Sequence, residues 1–215
     1  MSLLTQKENK RYISVLSSDG TLRQTVDAGT PGAVLREYET SDKKKGSKHE
    51  LVFNKLEGKI VGLSFYEGDY GKNLQVEIEN AGDKAVLSLN VGGNFGEDVM
   101  KKFPNINLEE EVSFEPFSFI NDKEKQIKGI SIKQKGEKIQ NYYFDADKKK
   151  PVNGMLEIEG KAEDYSKEDW KIHFLKVRKF LVEEVQKLIE SKFPKSVPVP
   201  VEYSEDNIKP EEIPF

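Results

Sequence analysis

Apolar and polar residues alternate over much of residues 11–144, the period of half-buried strands rather than of helices. Residues 11–16 read as a first strand, closed by the turn Ser17-Ser18-Asp19-Gly20. Residues 22–26 and 33–40 read as two more. Residues 41–47 (SDKKKGS) predict a polar loop whose three consecutive lysines read as a solvated tip. Residues 50–66 are β-rich but too long for one flat strand, and Gly58 and Gly62 fall inside, as a bulge or tight bend requires. After a turn at 67–71, Leu74, Val76 and Ile78 alternate with Gln75, Glu77 and Glu79. After a second turn, Ala85, Leu87, Leu89 and Val91 repeat the pattern. Val99, Met100 and Phe103 then change to helical spacing, and Pro104 ends that helix. Residues 112–120 predict a strand whose parity jumps near Pro116. Residues 127–134 and 137–144 predict a final hairpin about Lys135-Gly136.

The order from residue 50 is long bent strand, strand, strand, short helix, strand, strand. It matches the five-stranded Greek-key barrel known as the OB-fold, whose helix commonly joins the third and fourth strands. The expected architecture is therefore mainly β with α. Residues 1–49 form N-terminal strands, 50–144 an OB-like barrel core, and 145–165 a connector with a short strand at 155–160. Residues 166–192 form a C-terminal amphipathic helix, and 193–215 a disordered Pro-rich acidic tail. Ser166 with Glu168 and Asp169 looks like a capped helix start. Trp170, Phe174, Val177, Leu181, Val185 and Leu188 then form one apolar stripe, which predicts packing against the barrel or another subunit and leaves room for a homo-oligomer.

Composition narrows the function. With 36% hydrophobic and 33% charged residues the chain has a globular balance. No apolar run is long enough to span a bilayer. The N-terminal residues lack an apolar signal core, so a cytoplasmic location is expected. There is no cysteine, hence no disulfide, thiolate metal site or Cys nucleophile. The net charge is −4, but residues 202–215 hold five acids against one lysine, leaving residues 1–201 with 33 basic and 33 acidic side chains. A phosphate-binding surface would have to gather its lysines locally.

No catalytic constellation emerges. His49 and His173 lie in different elements, and residues 92–96 (GGNFG) lack the lysine and hydroxyl of a phosphate loop. Asp145 and Asp147 lack the glycine and closing glutamate of a calcium loop. Neither enzyme activity nor a cofactor is expected. A single-strand binder needs less: cations that track a backbone and rings on which bases stack. Tyr66, Tyr70 and Lys72 flank the first hairpin, Phe95 lies in the glycine-rich loop, and Lys133, Lys138, Tyr142 and Tyr143 belong to the last hairpin. Core packing competes with stacking for each ring, most of all for Tyr66 and Phe95. The chain ends on Glu211, Glu212, Ile213, Pro214 and Phe215, an acidic segment whose last ring carries the terminal carboxylate. It suits a basic, apolar pocket on another protein.

That ending resembles the acidic Pro-Phe tip of bacterial single-stranded DNA-binding proteins. The stretch LEGKIVGLSFYEGDYGKNLQVEIEN, with SLNVGGNFGEDVMKKFPNI, resembles bacteriophage single-stranded DNA-binding proteins of the barrel-plus-tail type. The resemblance implies a non-catalytic protein that coats and protects exposed strands in phage DNA replication, recombination and repair. It implies recruitment of a polymerase, helicase or primase through residues 211–215. The competing expectation is a barrel-shaped protein-interaction adaptor that never touches nucleic acid.

Overall fold

The computed structural model describes residues 10–40, 43–68 and 71–193. Ten strands form one mixed sheet: β1 (Arg11–Leu16), β2 (Thr21–Val26), β3 (Val34–Glu39), β4 (Lys45–Phe53), β5 (Leu56–Gly68), β6 (Gly71–Asn80), β7 (Asp83–Asn90), β8 (Glu111–Ile120), β9 (Gln126–Gln134) and β10 (Glu137–Lys138). Helix α1 (Asn94–Lys102) separates β7 from β8. A two-stranded ribbon, β11 (Phe144–Asp145) with β12 (Lys150–Pro151), and the long helix α2 (Lys167–Lys192) follow.

The spatial order is β10-β9-β8-β5-β6-β7-β1-β2-β4-β3. Every pairing is antiparallel except β1 with β7, which runs parallel from Arg11↔Ala85 to Ser14↔Ser88. This arrangement corrects the expected closed five-stranded barrel. The outer edge of β7 is taken by β1, and β9 pairs with β8 and β10. Among the described residues no ladder closes the sheet. Instead the β1–β2 turn leans on the β8–β9 hairpin. Lys128 Nζ donates to Ser17 Oγ at 2.9 Å, and Ser118 Oγ donates to the Ser18 carbonyl at 3.4 Å. Gly20, at φ 69°, sits against the Phe117 backbone, where a Cβ would collide.

The expected bend in the long strand is present. Gly58 has φ 151° and lies so close to β6 that a Cβ would stand 2.5 Å from the Glu79 carbonyl oxygen. The β5–β6 register slips between Ile60 and Gly62, so Val61 bulges. The bend lets β5 pair with β8 through residues 56–59 and with β6 through residues 59–68.

Other expectations change. Residues 50–66 contain the end of β4 and most of β5, parted at Asn54-Lys55. Lys45, Gly46 and Ser47 belong to β4 rather than to a loop. The second arm of the last hairpin shortens to β10, and residues 155–160 form no strand. In each case the ladder partner decided, because a polar stretch joins a sheet once a neighbour accepts its N–H and C=O groups.

The core lies between the curled sheet and the helices. Leu74, Val76, Ile78, Leu87 and Leu89 meet Val99, Met100 and Phe103 of the α1 segment and Phe114, Ile130 and Ile132 of β8–β9. Each such side chain contributes about 1.5–3 kcal/mol of burial. Lys102 is buried but satisfied, donating to Asp98 at 2.8 Å and to the Ile130 carbonyl at 2.5 Å. Ser166 and Asp169 form the expected capping box of α2. The helix buries Val177, Leu181, Val185 and Ile189. The N-terminal part of the predicted stripe overhangs: Phe174 is 46% exposed. No helix among the described residues is long and apolar enough to cross a membrane.

Candidate nucleic-acid interface

The eight body residues expected to contact a strand do not assemble into one site. Tyr66, near the end of β5, is 57% exposed, so its ring is free to stack. Lys72 pairs in register with Glu67, not Tyr66, and its ammonium lies 5.1 Å from the centre of the Phe65 ring, on the opposite face from Tyr66. Tyr70 lies outside the described residues. Phe95 is 8% exposed and belongs to the core. α1 starts with Asn94, and the helical turn carries Phe95 inward under Val91 and Val99, leaving no face for a base.

Lys133, on β9, pairs with Glu115 of β8 at 2.6 Å, and Lys138 on β10 is exposed. Through the ladders Lys133 aligns with Ser113 and then Glu57 of β5, nine residues from Tyr66. Along a strand that is about 30 Å. Tyr142 and Tyr143 are not on a hairpin strand. Tyr142, 37% exposed, is tied by its N–H to the Lys101 carbonyl of α1. Tyr143 is 2% exposed, edge-on to Phe180 of α2 at 5.4 Å. Burial, with Glu184 nearby, pushes its phenol up to about 12. Tyr143 is therefore a packing residue, and its neighbour keeps only an exposed edge. Glu211, Glu212, Ile213, Pro214 and Phe215, expected to bind a partner, lie outside the described residues.

The surface that does assemble is the sheet face turned away from the core, where β5, β6, β7, β1 and β2 lie side by side. Alternation puts Tyr66 and Ser64 of β5, Asn73 and Gln75 of β6, Ser88 of β7, Tyr12 and Ser14 of β1 and Arg23 of β2 on this face. All of these except Ser64 border a cleft of about 840 Å³ that also takes in Lys10, Arg11 and Thr25. Its lining holds three cations, two tyrosines and several amides and hydroxyls, with no carboxylate. Four other clefts among the described residues, of about 390–540 Å³, each include two or more carboxylates.

Carboxylates stand beside this cleft and orient its cations. Lys10 meets Glu77 at 2.7 Å, Arg11 meets Asp83 at 3.1 Å, and Arg23 meets Asp19 at 2.7 Å. Burial pushes the Asp19 carboxyl up, but hydrogen bonds from Thr21 and Arg23 outweigh it and hold it below the usual range. Arg23 spends Nε on Thr21 Oγ1 and Nη2 on Asp19, and its other guanidinium N–H groups can reach a phosphate oxygen. Tyr12 is 57% exposed, like Tyr66. The sequence carries a signal for it: Tyr12 and Ser14 alternate with Ile13 and Val15, which marks them as outward positions. What it does not carry is the pairing of β1 with β7, which brings Tyr12 onto the face that Tyr66 occupies.

Among the described residues no group of His, Asp and Glu is placed to hold a metal ion. The face can grip a polyanion through side chains and offer rings to flat, unpaired bases. Comparison with protein-family models, with curated proteins and with solved structures found no match for this chain.

Proposed function

We propose that the protein binds single-stranded DNA along the outer face of β6, β7 and β1, without catalysis, in phage DNA replication and recombination. The carrying observation is the carboxylate-free cleft between the exposed rings of Tyr12 and Tyr66, with Lys10, Arg11 and Arg23 along its wall. The order β5, β6, β7, α1, β8, β9 supports the reading. An OB-type scaffold binds oligonucleotides on the face of its second and third strands, which correspond to β6 and β7. On this reading the neutral body lets stacking supply much of the affinity, and residues 211–215 recruit a polymerase, helicase or primase in the cytoplasm of the host cell.

Titration of labelled oligo-dT, followed by anisotropy, tests it. Wild-type protein should bind dT and prefer it clearly to a duplex of equal length. Tyr66→Ala and Tyr12→Ala should each weaken binding about 5- to 100-fold, the stacking contribution of one base. Binding that ignores both substitutions, or that treats duplex and single strand alike, rejects the proposal.

A second reading is a protein-interaction adaptor. It is favoured by the first half of α2, where Ile172, Phe174 and Leu175 are 51%, 46% and 54% exposed beside Leu156. Under it, no dT affinity is measurable at low salt, so the same titration separates the two.

A further inference from the structure

We infer that the single-strand path continues beyond the cleft onto the N-terminal strands β2, β4 and β3, with Tyr38 as a third stacking ring. This rests on the proposed reading of the Tyr12–Tyr66 cleft and extends it to a surface outside that cleft.

The ladders fix where the three rings stand. Tyr66 aligns with Asn73 of β6 and Asn90 of β7, four residues from Val86, the partner of Tyr12. In the other direction, Ser14↔Arg23, Thr25↔Glu50 and Glu50↔Val34 put Tyr12 in line with Val34, and Tyr38 lies four residues further along β3. β5 and β1 are three strands apart in the sheet, and so are β1 and β3. Because neighbouring strands alternate in direction (β1 and β7 excepted), both offsets of four residues run the same way across the sheet. The rings therefore lie on one diagonal, at equal steps. Three strand spacings are about 14 Å and four residues about 13 Å, so each step is about 19 Å on a flattened sheet. The whole diagonal is roughly 39 Å. A stacked strand rises about 3.4 Å per nucleotide, so the diagonal takes roughly eleven nucleotides. That is within the range of one single-strand-binding module.

The surface between Tyr12 and Tyr38 is equipped for a backbone. Arg36, Lys48 and Arg23 surround Glu50, which is 1% exposed, at 2.7, 3.0 and 3.8 Å. With Asp19 included the cluster carries three positive and two negative charges. The fork of Arg36 spends two donors on Glu50 through Nε and Nη2, and the remaining donors stay open to a phosphate oxygen. Tyr38 faces Gly46, whose missing side chain gives the ring its place: a Cβ there would stand 2.7 Å from the ring. Arg36 and Lys48, paired with each other one step along the ladder, stand 5.6 and 5.9 Å from the ring centre. A ring 39% exposed, with two cations beside it, suits a base whose phosphates those cations hold.

The test is a series of labelled dT6, dT12 and dT20 measured by anisotropy against wild type, Tyr38→Ala, Tyr38→Phe and Tyr66→Ala. Wild-type affinity should rise from dT6 to dT12 and then level off. Tyr38→Ala should match wild type on dT6, which fits within the cleft, and lose about 5- to 100-fold on dT12 and dT20. Tyr38→Phe, which keeps the ring, should restore it. If Tyr66→Ala weakens binding while Tyr38→Ala equals wild type at every length, the path ends at the cleft and this inference falls alone. If Tyr38→Ala is as damaging on dT6 as on dT20, the order of the diagonal is wrong. If wild type binds none of the oligomers, the underlying reading falls first.

Discussion

Glu50 keeps its charge in an almost solvent-free position because three cations reach it. The hydrogen bond from Arg36 is the main reason its carboxyl sits below the usual value, with Lys48 adding to it against the cost of burial. The same pairing raises Arg36. A carboxyl depressed in the folded state adds stability above its unfolded value, about 4.3, and loses it as the pH falls through the folded value. Glu50→Gln should therefore cost about 2 kcal/mol at pH 7, the scale of hydrogen bonds to a charged group. The gap to wild type should narrow progressively as the pH falls below about 4.3 and through the lower folded value. Urea unfolding at pH 7 and pH 3 measures this, and an equal gap at both pH values would show that the charge is not responsible. Glu50 was legible in the sequence only as a polar position at the start of a β-rich stretch. Its partners come from β2, β3 and its own strand, and no local spacing announces such a set.

At the scale of the element, β1 is the member on which the proposed interface depends. It is the one described link between β7 and β2, so β2, β4 and β3 join the sheet through it. It also supplies Ile13 to the core and Tyr12 to the outer face. Removing residues 1–16 should expose the edge of β7 and the flank of β2, uncovering Leu87 and Leu22 among others. A melting temperature lowered by about 10 °C or more is expected for the loss of several kcal/mol in a chain of this size. Circular dichroism on heating gives the answer, and an unchanged transition would mean that the remaining sheet holds without β1. Helix α2 is the contrasting case. Its cap and its buried positions from Val177 onward were readable because cap chemistry and helical period are local. Phe174 kept the period but is covered only in part, stacked on Trp170 of its own helix and 46% exposed.

For the whole molecule the charge distribution matters more than its total. Residues 202–215 contribute all of the formal −4, so their removal leaves a neutral chain. That removal should tighten dT binding at low salt, since a tethered anionic segment competes with phosphate. The difference should shrink as salt shortens the electrostatic range to about 8 Å at physiological strength. The same truncation should abolish capture of replication proteins. Anisotropy at two salt concentrations, paired with pull-down, tests both, and a truncated protein that behaves as wild type in each would remove the tail from the mechanism.

The residues alone determined the strands with clean alternation, the glycine bend in β5, the short helix before Pro104 and the capped helix near the C-terminus, since each follows from the geometry of a few consecutive residues. Only the tertiary structure decided which strand lies beside β7, and among the described residues that choice left the sheet open where a barrel was expected. It also took Phe95 and Tyr143 into the core and brought Tyr12, Tyr66 and Tyr38 onto one surface. Pairing between strands some seventy residues apart is selected by the fit of whole edges and by buried area summed over the molecule. Those quantities have no counterpart in any short run of sequence.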